Sequence, residues 1–248
     1  GKMESGGENV NGQLGLGSKV NYDEPQKIAE LNETIVEIAV GDNHVLALTE
    51  KGTIYGWGLN DHGQVGNGTL ADQVSQATVI NLQGNELSKI IRVEAHGDNS
   101  YAINEDGEVF AWGLNHGSRA VRIPEVKNAV DVSTSYYVKA DGRVFDMTNF
   151  EDQQLVGAIR SMDEGTDHTV FLTSDGRAYS IGNNEYGQLG VGNTAQLTGF
   201  QAMRKDGSAL FDNIAAVEAG ERYTVILDKT GKVYTVGINK NGEQGLNR

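Results

Sequence analysis

Ile38–Gly66 reads IAVGDNHVLALTEKGTIYGWGLNDHGQVG, and its pattern returns along the chain. Val93–Asn115 reads VEAHGDNSYAINEDGEVFAWGLN, Met162–Gly190 reads MDEGTDHTVFLTSDGRAYSIGNNEYGQLG, and Val217–Gly245 reads VEAGERYTVILDKTGKVYTVGINKNGEQG. A reduced copy, VDVSTSYYVKADGRVFD, runs from Val130 to Asp146. A turn glycine sets the phase at Gly52, Gly107, Gly142, Gly176 and Gly231. Six places later a second glycine stands at Gly58, Gly113, Gly182 and Gly237 and is missing from the reduced copy. A third element, Gly-Gln-(Leu/Val)-Gly, occurs at Gly12–Gly15, Gly63–Gly66 and Gly187–Gly190, blurred to Gly242-Glu-Gln-Gly245. Three phased elements make this a repeat protein.

Each copy has a physical reading. Apolar residues such as Val45-Leu46-Ala47-Leu48 lead into a polar X-Gly step that supplies the positive φ of a tight hairpin turn. A β-branched and aromatic strand follows, Thr53–Trp57 or Val109–Trp112, with alternate residues on opposite faces. One hairpin cannot bury its own face, whereas hairpins stacked around an axis can. The expected fold is therefore all-β: a β-propeller of four-stranded blades, some shortened, with about five complete blades and a half unit over residues 1–248 as a single domain. The half unit is Asn9–Gly17, the second half of a blade without its first half. A fragment of a larger ring, or an unconventional closure, is the expectation that follows.

Composition supports this and narrows function. Glycine is 33 of 248 residues, about twice the ordinary share of roughly 7%, spread out as turn residues would be. The formal charge is -14, which opposes nucleic acid and anionic membrane surfaces. There is no cysteine, so disulfides, thiolate catalysis and cysteine-ligated metals are excluded. No apolar run reaches the roughly 18 residues of a membrane helix. No phosphate-loop, nucleophile-elbow, zincin or calcium-loop motif is present. The expectation is a non-enzyme with no catalytic residue, no metal and no cofactor.

The repeat also accounts for most tempting side chains. His44 and His168 occupy one repeat position, held elsewhere by Asn99, Thr134 and Tyr223. Phased recurrence points to architecture, an imidazole bonding a turn inside its own blade, rather than to zinc. His62, His96 and His116 lie near turns and are expected to be solvated. Trp57, Trp112, Tyr55, Phe110, Tyr179 and Tyr234 are blade-packing residues. Tyr136, Tyr137 and Tyr223 stand where other copies are small or polar, and are candidates for exposed interface anchors. The turn that opens each core is the binding candidate: Asp42 and Asn43, Asp98 and Asn99, Asp167, and Glu221 and Arg222. Asp42, Asp98, Asp167 and Glu221 are expected to form an acidic arc on one face, suited to a basic or mixed-charge protein surface.

The motif order Gly-x-x-His (Gly41–His44), Leu-Thr-x-x-Gly-x-Ile-Tyr (Leu48–Tyr55), Trp-Gly-x-Asn (Trp57–Asn60) and Gly-Gln-x-Gly (Gly63–Gly66) resembles the regulator of chromosome condensation repeat family. The resemblance runs from about Gly7 onward and implies a propeller, usually of seven blades, acting as a protein-interaction platform. The shortened blades resemble its bacterial members. The location is left open by the sequence, with extracellular or cell surface favoured over cytoplasmic. The function expected is a protein-binding propeller that presents loop turns on one face. The alternatives are a structural repeat domain of a larger surface or secreted protein, a nucleotide exchange factor for a small GTPase, and a propeller-fold enzyme. The last would require convergent, unphased polar residues, which the sequence does not offer.

Overall fold

The computed structural model describes residues 2–29, 31–206 and 209–245. Among the described residues all regular structure is strand. The chain forms two compact units, residues 1–134 and 135–248.

The first unit opens with a two-stranded sheet, β1 (Glu4–Gly7) and β2 (Tyr22–Lys27). Next comes a four-stranded antiparallel sheet in sequential order: β3 (Ile35–Val40), β4 (His44–Thr49), β5 (Ile54–Gly58) and β6 (Gln73–Thr78). A second follows from β7 (Ile90–His96), β8 (Asn99–Asn104), β9 (Val109–Gly113) and β10 (Gly117–Arg122). The unit closes with β11 (Ala129–Val132). The second unit begins with the hairpin β12 (Tyr136–Lys139) and β13 (Val144–Asp146). It continues with the four-stranded β14 (Ile159–Glu164), β15 (His168–Thr173), β16 (Ala178–Gly182) and β17 (Gln201–Ala202), and with the three-stranded β18 (Ile214–Ala219), β19 (Tyr223–Asp228) and β20 (Val233–Gly237). Residues 246–248, at the carboxyl end of the last repeat, lie outside the described residues.

The sheets stack face to face on their alternating apolar residues. In the first unit Leu46, Leu48 and Ile54 of one sheet pack against Val93, Ala95 and Ala102 of the next. In the second unit Val170 and Leu172 meet Val217 and Ile226, while Val138 and Val144 meet Met162 and Phe171. Each contact removes two strand faces from water, at roughly 25 cal/mol per Å² of apolar surface.

The first four-stranded sheet is covered unevenly. Met3 and Ile28, which flank the two-stranded sheet, join a cluster with Ala47, Tyr55 and Trp57, and the Trp57 indole donates to the Gln13 carbonyl at 2.9 Å. Ile35 at the start of β3 joins the same cluster, but the rest of that strand is not covered in this way. Ile38 and Val40 are 51% and 66% exposed, whereas Val93 and Ala95 at the same ladder positions of the next sheet are 2% and 8% exposed. The half unit read from Asn9–Gly17 thus has a physical counterpart: it covers only the outer part of its neighbour.

Candidate functional site

The opening turns are held by one repeated clamp. The aromatic strand ends in a positive-φ glycine, Gly58, Gly113, Gly182 or Gly237, and a Cβ there would run into the carbonyl oxygen of Asn43, Asp98, Asp167 or Arg222 respectively. The same carbonyls accept the next backbone N–H, from Leu59, Leu114, Asn183 and Ile238, at 2.9–3.0 Å. Asn43, Asp98, Asp167 and Arg222 are therefore one structural position carrying four different side chains.

This corrects the acidic arc. Asp98 shares its position with Asn43 and Asp167, not with Asp42. The two turns are equally long, since the Gly41 N–H bonds the His44 carbonyl as His96 pairs with Asn99; the equivalent of Gly41 is therefore His96, and Gly97, with φ 56°, lies one place further into the turn. Gly97 then sits where Asp42, Thr166 and Glu221 sit in the other copies. The four acids are two pairs of unlike positions, and Arg222 places a cation where Asp98 and Asp167 place anions. Asp42, Glu221 and Arg222 are exposed, while Asn43, Asp98, Asn99, Asp167 and Tyr223 are half-buried.

The half-buried acids are tied to the loop that follows each aromatic strand. The Gln64 amide donates to Asp98 at 3.3 Å and to Asp61 at 3.1 Å. The Gln188 amide donates to Asp167 at 3.3 Å. His62 lies 4.0 Å from Asp98. In the second unit Arg222 sits 3.8 Å from Asp167, and both Arg222 and Lys240 lie over the Tyr186 ring, at 5.6 and 5.5 Å.

Two of the proposed aromatic anchors are not exposed. Tyr137 is buried and stacks on Phe145, with centroids 5.2 Å apart. Tyr136 packs edge-on to Phe171 at 5.4 Å. Both belong to β12, and the shortened third copy fills its core with them. Tyr223 takes the histidine position, its ring lying against Gly220.

The histidines also differ from expectation. They bond to the next sheet, not to a turn of their own. His44 Nε2 meets Ser100 Oγ at 2.8 Å, and His168 Nε2 meets Thr224 Oγ1 at 2.8 Å. Each hydroxyl donates onward, Ser100 to the Gln64 carbonyl at 2.7 Å and Thr224 to the Gln188 carbonyl at 2.8 Å. A hydroxyl has one hydrogen to give, so the imidazole donates from Nε2–H. Burial holds His44 down to about 4 and also lowers His168, the latter partly offset by Asp167. His96 is not a solvated turn residue: its side chain is 16% exposed and lies 3.8 Å from Glu94.

Buried amides complete the frame. Asn60 donates to the carbonyls of Thr69 and Ala71 and accepts from Val65 N–H. Asn9 and Asn184 make the same three bonds in their own loops. Of these, Asn60 was visible as the Asn of Trp-Gly-x-Asn. Its role was not, because its partners lie in irregular loop.

Family models of the regulator of chromosome condensation (RCC1) repeat match residues 5–48, 51–103 and 175–227, more than half of the chain. A second model of the same repeat matches residues 35–64 and 160–188. The chain belongs to the RCC1 repeat family. It is 29% identical to the ultraviolet-B receptor UVR8 of Arabidopsis thaliana over 99% of this chain and 51% of that protein. It is 31% identical to the regulator of chromosome condensation of Mus musculus over 72% of this chain and 38% of that protein. It thus spans about half or less of these relatives. Among solved structures, Prp20p of Saccharomyces cerevisiae, described with its binding to Gsp1p and histones, superposes with a TM-score of 0.78 at 21% identity, over 99% of this chain and 68% of that one. That likeness shows the fold. The sheets are blades of a β-propeller: three with four strands, the rest shortened, and a half blade at the start.

Proposed function

We propose that this RCC1-repeat chain is a non-enzymatic protein-binding module that meets its partner through the opening turns and the loops beside them. One observation carries the reading. A single backbone clamp holds Asn43, Asp98, Asp167 and Arg222 in place, yet their side chains are neutral, acidic, acidic and basic. The residues that make the clamp repeat, while those it presents vary. A rigid scaffold with variable tips is how loop-borne recognition is built. The partner it suits is a protein surface of mixed charge, since the second unit sets Arg222 beside Asp167 and Lys240 over the Tyr186 ring. That protein partners are named for Prp20p supports the same class of function here.

The test is a binding titration against purified Gsp1p and histones, together with quantitative affinity capture, comparing the wild type with Asp42→Lys/Asp98→Lys and with Arg222→Glu. Affinity for a captured partner should fall at least about tenfold in one of the variants, as rim charges govern encounter and register. Equal capture by all three proteins would remove the reading. Nucleotide exchange on a small GTPase is the second reading, favoured by the 31% identity to the regulator of chromosome condensation. It predicts accelerated nucleotide release from Gsp1p, which simple binding does not.

A further inference from the structure

The inner strands of the first unit bring together charged groups that the binding turns do not use. Arg92 on β7 holds Glu94 of the same strand, with Nε 2.8 Å and Nη2 2.7 Å from Oε1. Its Nη2 also lies 3.3 Å from Asp131 Oδ1 on β11. From β3, Glu37 accepts the Val93 N–H at 3.0 Å. His96 Nε2 is 3.8 Å from Glu94 Oε2. Of the other strands against β7, β8 places Tyr101 opposite Glu94 in the ladder, and β4 brings His44, whose ring is engaged with Ser100. Glu94 and Asp131 thus share one guanidinium, with the Glu37 carboxylate on the neighbouring strand beside them, and the Asp131 side chain is only 5% exposed.

We propose that this cluster is a pH-responsive clasp between β3, β7 and β11, in which Glu94 takes up one proton and the protonated clasp is the more stable one. The reason is charge balance. With every acid ionised, the cluster holds three negative charges against one positive in a partly desolvated wall, and a single proton on Glu94 relieves both burial and repulsion. Burial first, then the Asp131 and Glu37 carboxylates, push Glu94 up to about 7 against the pull of Arg92. A group raised on folding stabilises fully below its unfolded value, here 4.5. Its contribution is lost as pH rises through the folded value.

Urea unfolding of the full chain between pH 4.5 and 8.5 tests this, comparing the wild type with Glu94→Gln and His96→Asn. The wild-type unfolding constant should rise with pH through the neutral range more steeply than that of Glu94→Gln, by on the order of a hundredfold over the window. His96→Asn should keep the wild-type slope. Equal slopes in the wild type and Glu94→Gln overturn the proposal, as does a slope that disappears in His96→Asn. Should Glu94→Gln fail to fold, the carboxyl carbon-13 titration of Glu94 in the wild type decides. A midpoint near 7 supports the clasp, and one near 4.5 refutes it.

Discussion

Gly58 is defined by the atom it lacks. Its φ is 105°, and a Cβ would run into the Asn43 carbonyl and the His44 Cα. Gly231 has a similar φ of 89° but open space around it. Gly58→Ala should therefore cost at least about 2 kcal/mol in urea unfolding, and Gly231→Ala about 1 kcal/mol from backbone strain alone. Equal costs would show that the carbonyl clamp is unimportant. His44 makes a second prediction at this scale. Its folded value is lowered to about 4 from 6.5. The stability it contributes is therefore present above pH 6.5 and drains away as pH falls toward 4, by about 3 kcal/mol in all. His44→Asn, the residue that the next blade uses as Asn99, should flatten that acid limb in denaturation measured against pH. Truncating its partner, Ser100→Ala, should cost about 1–3 kcal/mol, because a buried Nε2–H and the Gln64 carbonyl lose their bond.

Among elements, the loops after the aromatic strands β5 and β16 are each held by one buried asparagine of their own. Asn184 joins the carbonyls of Asn193 and Ala195 to the Leu189 N–H. Leu189 is itself buried, so the staple also seats an apolar plug. Asn184→Ala should cost about 3 kcal/mol, as three buried polar groups are left unmet. It should also open residues 185–196 to limited proteolysis well before global unfolding. Protection equal to wild type would mean that the loop is held by something else. The third repeat shows the opposite economy. It lacks the Trp-Gly-x-Asn and Gly-Gln-x-Gly steps, and Tyr136 and Tyr137 turn inward to supply the missing bulk.

At the scale of the molecule, blade stacking decides which apolar residues matter. Ile38 and Val93 are equivalent in sequence and in ladder position, but only Val93 has a complete neighbouring blade over it. Val93→Asp should unfold the first unit, at more than about 3 kcal/mol, since an unpaired charge would be buried. Ile38→Asp should stay within about 0.5 kcal/mol and improve solubility, as a substitution of an exposed residue does. Comparable losses in thermal or urea unfolding would contradict the reading that β3 is uncovered. The pH response divides in the same way. His44 and His168, buried neutral, favour the folded state at higher pH, whereas the Glu94 clasp favours it at lower pH.

What the sequence determined by itself was the repeat: its period, its turn glycines, its alternating strands and so the propeller class. These are legible because each is a local requirement. A positive φ needs glycine wherever the chain turns, and a two-sided strand needs alternation whatever lies beside it. The equivalent turn residues are legible too, because Asn43, Asp98, Asp167 and Arg222 each stand nine places before a phased turn glycine. What each position packs against was left to the tertiary structure. Only it decided that Tyr137 is core, that His44 answers to Ser100 and His168 to Thr224, and that Glu94 is gathered with Glu37 and Asp131. Those relations run between blades, where partners lie tens of residues apart and are chosen by stacking and burial, which no local pattern records.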